Sequence, residues 1–255
     1  MWCYSQNQNW FNTTTCIFCI SLKKNYDKKI VVLRKKIDET EVLEILDNKK
    51  TALFKSIFSR PKKSDIHIHS VKLYYECILM ISGKYVANYF RKATHSISVN
   101  SNVSAVVLGD DIFSVRTKSN FKKAIVGKRG KNKIDLKLEE HVFVENEDEL
   151  TFDHHGREIK FPFKLNSKTT ENYPNRLLEK NSSNVKNSEL THNDVIKKLQ
   201  SFLKKPLEDE VRKLEEEFVL REISEVYVPI YEARLIGPKK KIAIIRIDAV
   251  RNKIL

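Results

Sequence analysis

A chain of 255 residues, 41% hydrophobic and 31% charged, is large enough for a core that needs no disulfide or metal staple. Its recurring apolar pattern excludes a collagen-like or wholly disordered chain, and no stretch approaches the roughly 20 uninterrupted apolar residues of a membrane-spanning helix, so integral membrane insertion is not expected. The formal charge is +14; Lys49 to Lys133 hold 18 Lys and Arg against four acids (Asp65, Glu76, Asp110, Asp111), which leaves 29 bases against 29 acids elsewhere, so the whole excess sits in one third of the chain.

Met1 to Leu22 carry no charged side chain, and ordinary patterned sequence begins near Val31. Residues 1–30 are therefore expected to be a disordered or mis-annotated amino-terminal extension, with translation starting near Val31 or Val32. Cys16 and Cys19 have the two-residue gap of a zinc knuckle, but no second close pair completes four ligands. With Cys3 and Cys77 they point to a reducing, cytoplasmic setting rather than a disulfide scaffold. Asp38 to about Phe58 reads as a helix, with Leu43, Leu46, Leu53, Phe54 and Ile57 on one broad face, acids leading and bases following. Ile66 to Val99 is β-branched and aromatic at mostly alternate positions, and Ser82-Gly83-Lys84 reads as the turn of an antiparallel hairpin within it. Val103 to Leu108 is a further strand closed by Gly109-Asp110-Asp111. Phe121 to Val126 is a short helix or strand, followed by a basic loop over Gly127 to Lys133.

Ile134 to Leu138, His141 to Val144 and Leu150 to Phe152 read as short strands. His154-His155-Gly156 reads as a turn tip, and Ile159, Phe161 and Phe163 alternate after it. Asn166 to Glu189 is poor in apolar pattern and reads as a linker or a loosely packed loop, with the best domain boundary near Asn181 to Ser188. Thr191 to Asp194 supply a cap and acidic first turn for a helix through Val195, Ile196, Leu199, Phe202 and Leu203. Pro206 opens an expected second helix with Leu207, Val211, Leu214 and Phe218 on one stripe. Val226 to Ile236 and Ile242 to Val250 form a hairpin around Gly237 to Lys241. Both of its strands are apolar on both faces, so each face needs a cover. The expected fold class is α+β: a basic, mostly antiparallel β domain with an N-terminal helix (31–165), a linker (166–190) and a small helix-helix-β-hairpin domain (191–255).

A concentrated positive field favours a polyanion such as nucleic acid, an anionic membrane surface or an acidic protein face. The expected nucleic-acid-binding residues are Lys62, Lys63, Arg91, Lys92, Lys122, Lys123, Lys128, Arg129, Lys131 and Lys133. Tyr74, Tyr75, Tyr85, Tyr89 and Phe90 lie beside them in sequence, as core residues or as platforms for unpaired bases. Lysine-rich composition with abundant Asn and Ile also arises from codon bias, in which case the same cations form a solvated face. Gly127 and Gly130 lack the spacing of a phosphate loop, and Asn132 follows Lys131 where a hydroxyl is needed. His67 and His69 project from one strand face, and Asp153 to Glu158 is the densest titratable run. Either group suits a metal or acid–base role, yet an amphipathic strand and a hydrated turn explain both. No catalytic residue, metal site or cofactor is assigned.

Leu73-Tyr74-Tyr75-Glu76, Ser82-Gly83-Lys84-Tyr85, Phe152 to Glu158, Tyr227-Val228-Pro229-Ile230-Tyr231-Glu232 and Arg246-Ile247-Asp248-Ala249-Val250 resemble conserved hypothetical proteins of archaea. The resemblance covers about Val31 to Leu255 and implies no activity. The closing helix and hairpin are also similar to small PepSY-type modules. Arg251-Asn252 stands where such modules carry Thr-Gly, so no residue role is carried over. The leading expectation is a non-enzymatic binding or adaptor protein whose region 49–133 engages a polyanion, nucleic acid first among them. The alternatives are a structural or assembly protein pairing with itself or a partner through the C-terminal hairpin, and a metal-dependent hydrolase built on His67, His69, His154 and His155.

Overall fold

The computed structural model describes residues 21–23, 26–55, 61–115, 132–206 and 210–255. One eight-stranded sheet organises them. Its spine is a pair of long antiparallel strands, β3 (His67–Val99) and β8 (Val211–Ile236), in register from His67↔Ile236 to Arg91↔Val211. The outer edge of β3 pairs with β6 (Asn132–Phe152) and, in parallel, with the two-residue β7 (Val185–Lys186). The outer edge of β8 is shared by β1 (Ser21–Lys23) and β2 (Asp27–Val32), both parallel to it, and antiparallel β9 (Ile242–Asp248). β10 (Lys253–Ile254) closes that side against β9. A separate hairpin joins β4 (Ala105–Leu108) to β5 (Asp111–Ser114). The protein is thus a mostly antiparallel β sheet with helices, an α+β architecture.

Side chains alternate across the sheet, so paired residues share a face. The front face carries Leu79, Ile81, Tyr85, Ala87 and Tyr89 of β3 with Phe218, Leu220 and Ile223 of β8. Helix α3 (His192–Leu203) buries Val195, Ile196, Leu199 and Leu203 against them. Its first turn is closed by a capping box between Thr191 and Asp194. Helix α1 (Glu39–Leu53), with a capping box of Asp38 and Glu41, lays Val42 and Leu46 on Tyr231, Ala233, Leu235, Ile245 and Ile247 of the same face. The back face carries Ile78, Val226, Val228 and Ile230, covered by Ile159, Phe161 and Phe163.

Those last three residues belong to a strap. Leaving β6, the chain crosses the back face to the β2 edge, where Leu33 bridges Thr170 and the amide of Glu171 donates to the Val32 carbonyl at 2.8 Å. Helix α2 (Pro174–Lys180) then returns over the front face, setting Leu177 and Leu178 against Val32, Tyr75, Cys77 and Tyr227, and β7 ends the circuit on β3. The stretch read as a linker therefore carries a helix, a two-residue strand and the contacts that take the strap around the β2 edge onto the front face. It looked featureless because its contacts are spaced by a path around the sheet edge, not by a helix or strand period.

Four further expectations differ from the structure. Ser82-Gly83-Lys84 is no turn, since β3 runs straight through it. Gly83 is there for close approach: a Cβ would lie 3.0 Å from the Val219 carbonyl oxygen and 3.1 Å from Leu199 Cδ2. Opposite it the register of β8 shifts between Glu222 and Leu220, a bulge at Arg221. Of the helix expected after Pro206, Leu207 lies outside the described residues, and from Val211 the chain is the start of β8. Leu214, Phe218 and Leu220 pack on the front-face cluster, and pairing with β3 overrides a glutamate-rich helical pattern. Likewise β6 is continuous where three short strands were expected, and β2 begins at Asp27, ahead of Val31. The Asp153–Gly156 turn is as read, with Gly156 at φ +79°. The segment Phe121 to Val126 and Cys3, Cys16 and Cys19 lie outside the described residues, among which no helix is long and apolar enough to cross a membrane.

Gly83 supplies a stability test. Gly83→Val forces new carbon into the contact between α3, Phe218 and β8 and is expected to destabilise the protein by about 1–3 kcal/mol in denaturant unfolding. An unchanged midpoint would mean that the close approach is not real.

Candidate functional site

The register that builds the sheet also decides the fate of the expected binding residues. Residues 84–91 of β3 lie between acid-rich stretches of β6 and β8, and residues 92–99 continue along β6. Arg91 Nε donates to Glu140 Oε2 at 2.8 Å, Lys92 pairs with Glu210 at 3.0 Å, and Lys84 pairs with Glu145 at 2.8 Å. The Arg91 hydrogen bond, followed by that from His95, holds the Glu140 carboxyl below its usual range. Lys63 pairs with Asp47 at 2.9 Å. Exposed pairs of this kind add about 0–1 kcal/mol each to stability, but they remove the field that a distant polyanion would feel. Of the remaining expected residues, Lys62 precedes the start of β3, while Lys133 pairs with Ser98 near its end. Lys122, Lys123, Lys128, Arg129 and Lys131 lie outside the described residues.

Cations do converge at one place, the end of the sheet where β3 begins and β8 ends. His67 pairs with Ile236, the last residue of β8, and Lys62 lies five residues ahead of His67 on the approach to β3. Phe54, at the end of α1, packs against Gly237 of that turn and brings Lys55 with it. The turn contributes Lys239, Lys240 and Lys241; the first two are in left-handed backbone, at φ 58° and 60°. On the back face nearby, Arg234 pairs with Ser70, and Lys72 follows two residues on. All seven cations are exposed, and none has an ion-pair partner among the described residues. Ile242 and Ile244 lie on the same face, 63% and 55% exposed. In the sequence the triple lysine is visible only as a loop. Joining it to Lys55 and Lys62, some 180 residues earlier, takes the pairing of β3 with β8.

The aromatic residues expected as stacking platforms are mostly occupied. Tyr75, Tyr85 and Tyr89 are buried in the front-face core, where burial raises the Tyr85 hydroxyl and its hydrogen bond to Glu216 raises it further. Phe90 stacks on His141 with ring centroids 4.5 Å apart, and Tyr74 lies beneath the Lys186 ammonium.

The histidines separate as well. His67 and His69 open β3, seven or more residues from Glu76, roughly 23 Å or more of extended strand. His154 and His155 sit at the back-face turn with centroids 3.9 Å apart, so the four do not share a centre. Among the described residues no group of three or more His, Cys, Asp or Glu is placed to hold a metal ion. What the turn builds instead is an ionic cluster that sequence reasoning missed. Glu76, buried to 9% side-chain exposure, takes Lys186 at 3.1 Å and Arg246, with His154 Nδ1 at 3.5 Å. Asp248, fully buried, accepts from the Val250 and Arg251 amides and from Arg251 Nε at 2.6 Å. Asp153 holds Arg157 in the same way. The buried acids Glu76 and Asp248 lie on strands otherwise apolar, which is the one signal that marks them in sequence. On the front face Cys77 is a core residue, its thiol pushed up to about 12 by burial, far from thiolate character.

Comparison with protein-family models, with curated proteins and with solved structures finds no match. The geometry alone then bears on function.

His154 carries a pH prediction. Burial lowers its pKa below the ordinary imidazole value; Glu76 opposes this, and His155 and Arg246 add to it. Below about pH 6.5 the unfolded chain takes up a proton that the folded one resists, so stability present above that pH is lost as the pH falls. His154→Gln is expected to flatten this decline in denaturant midpoints compared at about pH 7.5 and pH 5.5. An identical slope in both proteins would exclude the assignment.

Proposed function

We propose that this protein is a non-enzymatic binding protein that engages a polyanion, nucleic acid through its phosphate backbone, at the basic end formed by Lys55, Lys62, Lys72, Arg234 and Lys239 to Lys241. The observation that carries the reading is the meeting of unpaired cations from α1's end, the approach to β3 and the β8–β9 turn. Lysine ammoniums on a solvated turn contact phosphates as point charges and read no base edges, so binding is expected to be indifferent to sequence. The buried aromatics of β3 fit this form better than stacking on unpaired bases. Each phosphate neutralised releases condensed counterion, which makes the affinity fall steeply with salt.

A gel-shift titration at two ionic strengths tests this. The combined change of Lys239, Lys240 and Lys241 to Gln is expected to weaken binding equally on unrelated sequences and to reduce the salt slope by about 1 for each phosphate that is no longer neutralised. Lys92→Gln, whose ammonium Glu210 already holds, leaves binding unchanged. No shift of the wild-type protein at low salt ends the reading.

A second reading, self-assembly through the β8–β9 hairpin, is favoured by the uncovered Ile242 and Ile244. Light scattering separates the two: Ile244→Glu returns an assembled protein to monomer under this reading, and a wild-type monomer at high concentration refutes it.

A further inference from the structure

The back-face ionic cluster borders a cavity of about 210 Å³ between sheet and strap. Ile78, Val228 and Ile230 line it from the sheet; Ile159 and Phe163 line it from the strap. Three guanidiniums stand in the lining: Asp153 holds Arg157 through Nε and a terminal nitrogen, while Arg246 and Arg251 are each held from one side by a carboxylate. Asp248 takes Arg251 through Nε, which leaves both terminal nitrogens of Arg251 without a partner among the described residues, and Phe163 supports the guanidinium 5.0 Å from its ring centroid. Glu76 takes Arg246 through one terminal nitrogen, and the buried Nε of Arg246 has no partner among the described residues.

We propose that this cavity binds a small carboxylate with an apolar body, its oxygens on Arg246 and Arg251 and its body between Phe163, Ile159 and the sheet. The hydrogen-bond balance selects the class. The side-chain carboxylates of the lining are engaged: both oxygens of Asp248 by backbone and Arg251, both of Glu76 by Lys186 and Arg246, both of Asp153 by backbone and Arg157. Donors remain, so the ligand supplies acceptors. A guanidinium fixed at one edge presents a planar fork, which matches two carboxylate oxygens. The aliphatic and aromatic walls favour a ligand with apolar surface to bury and disfavour a strongly hydrated dianion. Asp248 and Glu76 act as positioning residues, since they orient the two arginines without touching the ligand. This site is independent of the basic end, whose lysines do not line the cavity.

Titration calorimetry of the full chain with hexanoate, hexanol and hexylammonium tests the assignment. Hexanoate is expected to bind saturably with one site, and the other two to bind at least roughly tenfold more weakly, the scale of a charge-assisted hydrogen-bonded pair. Arg251→Gln is expected to lose a similar factor. Because that change also deprives Asp248 of its partner, methyl NMR of the wild-type protein supplies a second readout, in which hexanoate shifts Ile78, Ile159, Val228 and Ile230 and not Ile242 or Ile244. Equal binding of hexanol, no saturable hexanoate binding, or shifts confined to other methyls would overturn the proposal.

Discussion

Antiparallel pairing of β3 with β8 on one side and β6 on the other is the constraint on which everything else in this protein depends. A strand of 33 residues has no independent stability. It gains it by lending its two edges to neighbours, and the alternation of side chains then assigns every residue to a face. A slip of one residue would send Leu79, Ile81 and Tyr85 to the back and Glu76 to the front-face core. Gly83 and the bulge at Arg221 reset the register where α3 presses closest.

The same register distributes the charge. Lys84, Arg91 and Lys92 of β3 meet Glu145 and Glu140 of β6 and Glu210 ahead of β8 and are neutralised locally, whereas the cations at the opposite end lie toward the lysines of the β8–β9 turn. Among the described residues, the cations of that basic block divide between one compensated region and one basic end. Field strength depends on which charges are near, and a strand pairing brings residues from distant parts of the chain within a few ångströms.

The strap from Glu158 to Lys186 solves the problem posed by a central strand that is apolar on both faces. It covers the back with Ile159, Phe161 and Phe163, rounds the β2 edge, and covers part of the front with α2. Where strap meets sheet, buried Glu76 and Asp248 are satisfied by Lys186, Arg246, Arg251 and backbone amides, as buried carboxylates must be. The cavity beside them exists because the strap spans the sheet without the close packing of a helix on it.

Patterns that repeat within a few residues were legible without a structure: α1 with its charge order, α3 with its cap, the alternation of Ile66 to Val99, the hairpin around Gly237, the turn at Gly156, and the α+β character they imply. Their signals are local, since caps, periods and turn residues act between neighbours in the chain. The turn wrongly read at Gly83, the helix wrongly read after Pro206 and the linker wrongly read at the strap share one cause. In each, residues far away in sequence (Leu199 and Phe218, the β3 partner strand, the β2 edge) outvote the local preference. Composition by itself determined that this is a basic protein with enough apolar residues for a core. Only tertiary structure decided which cations stay unpaired and which carboxylates are buried, because both depend on what long-range strand pairing places beside them.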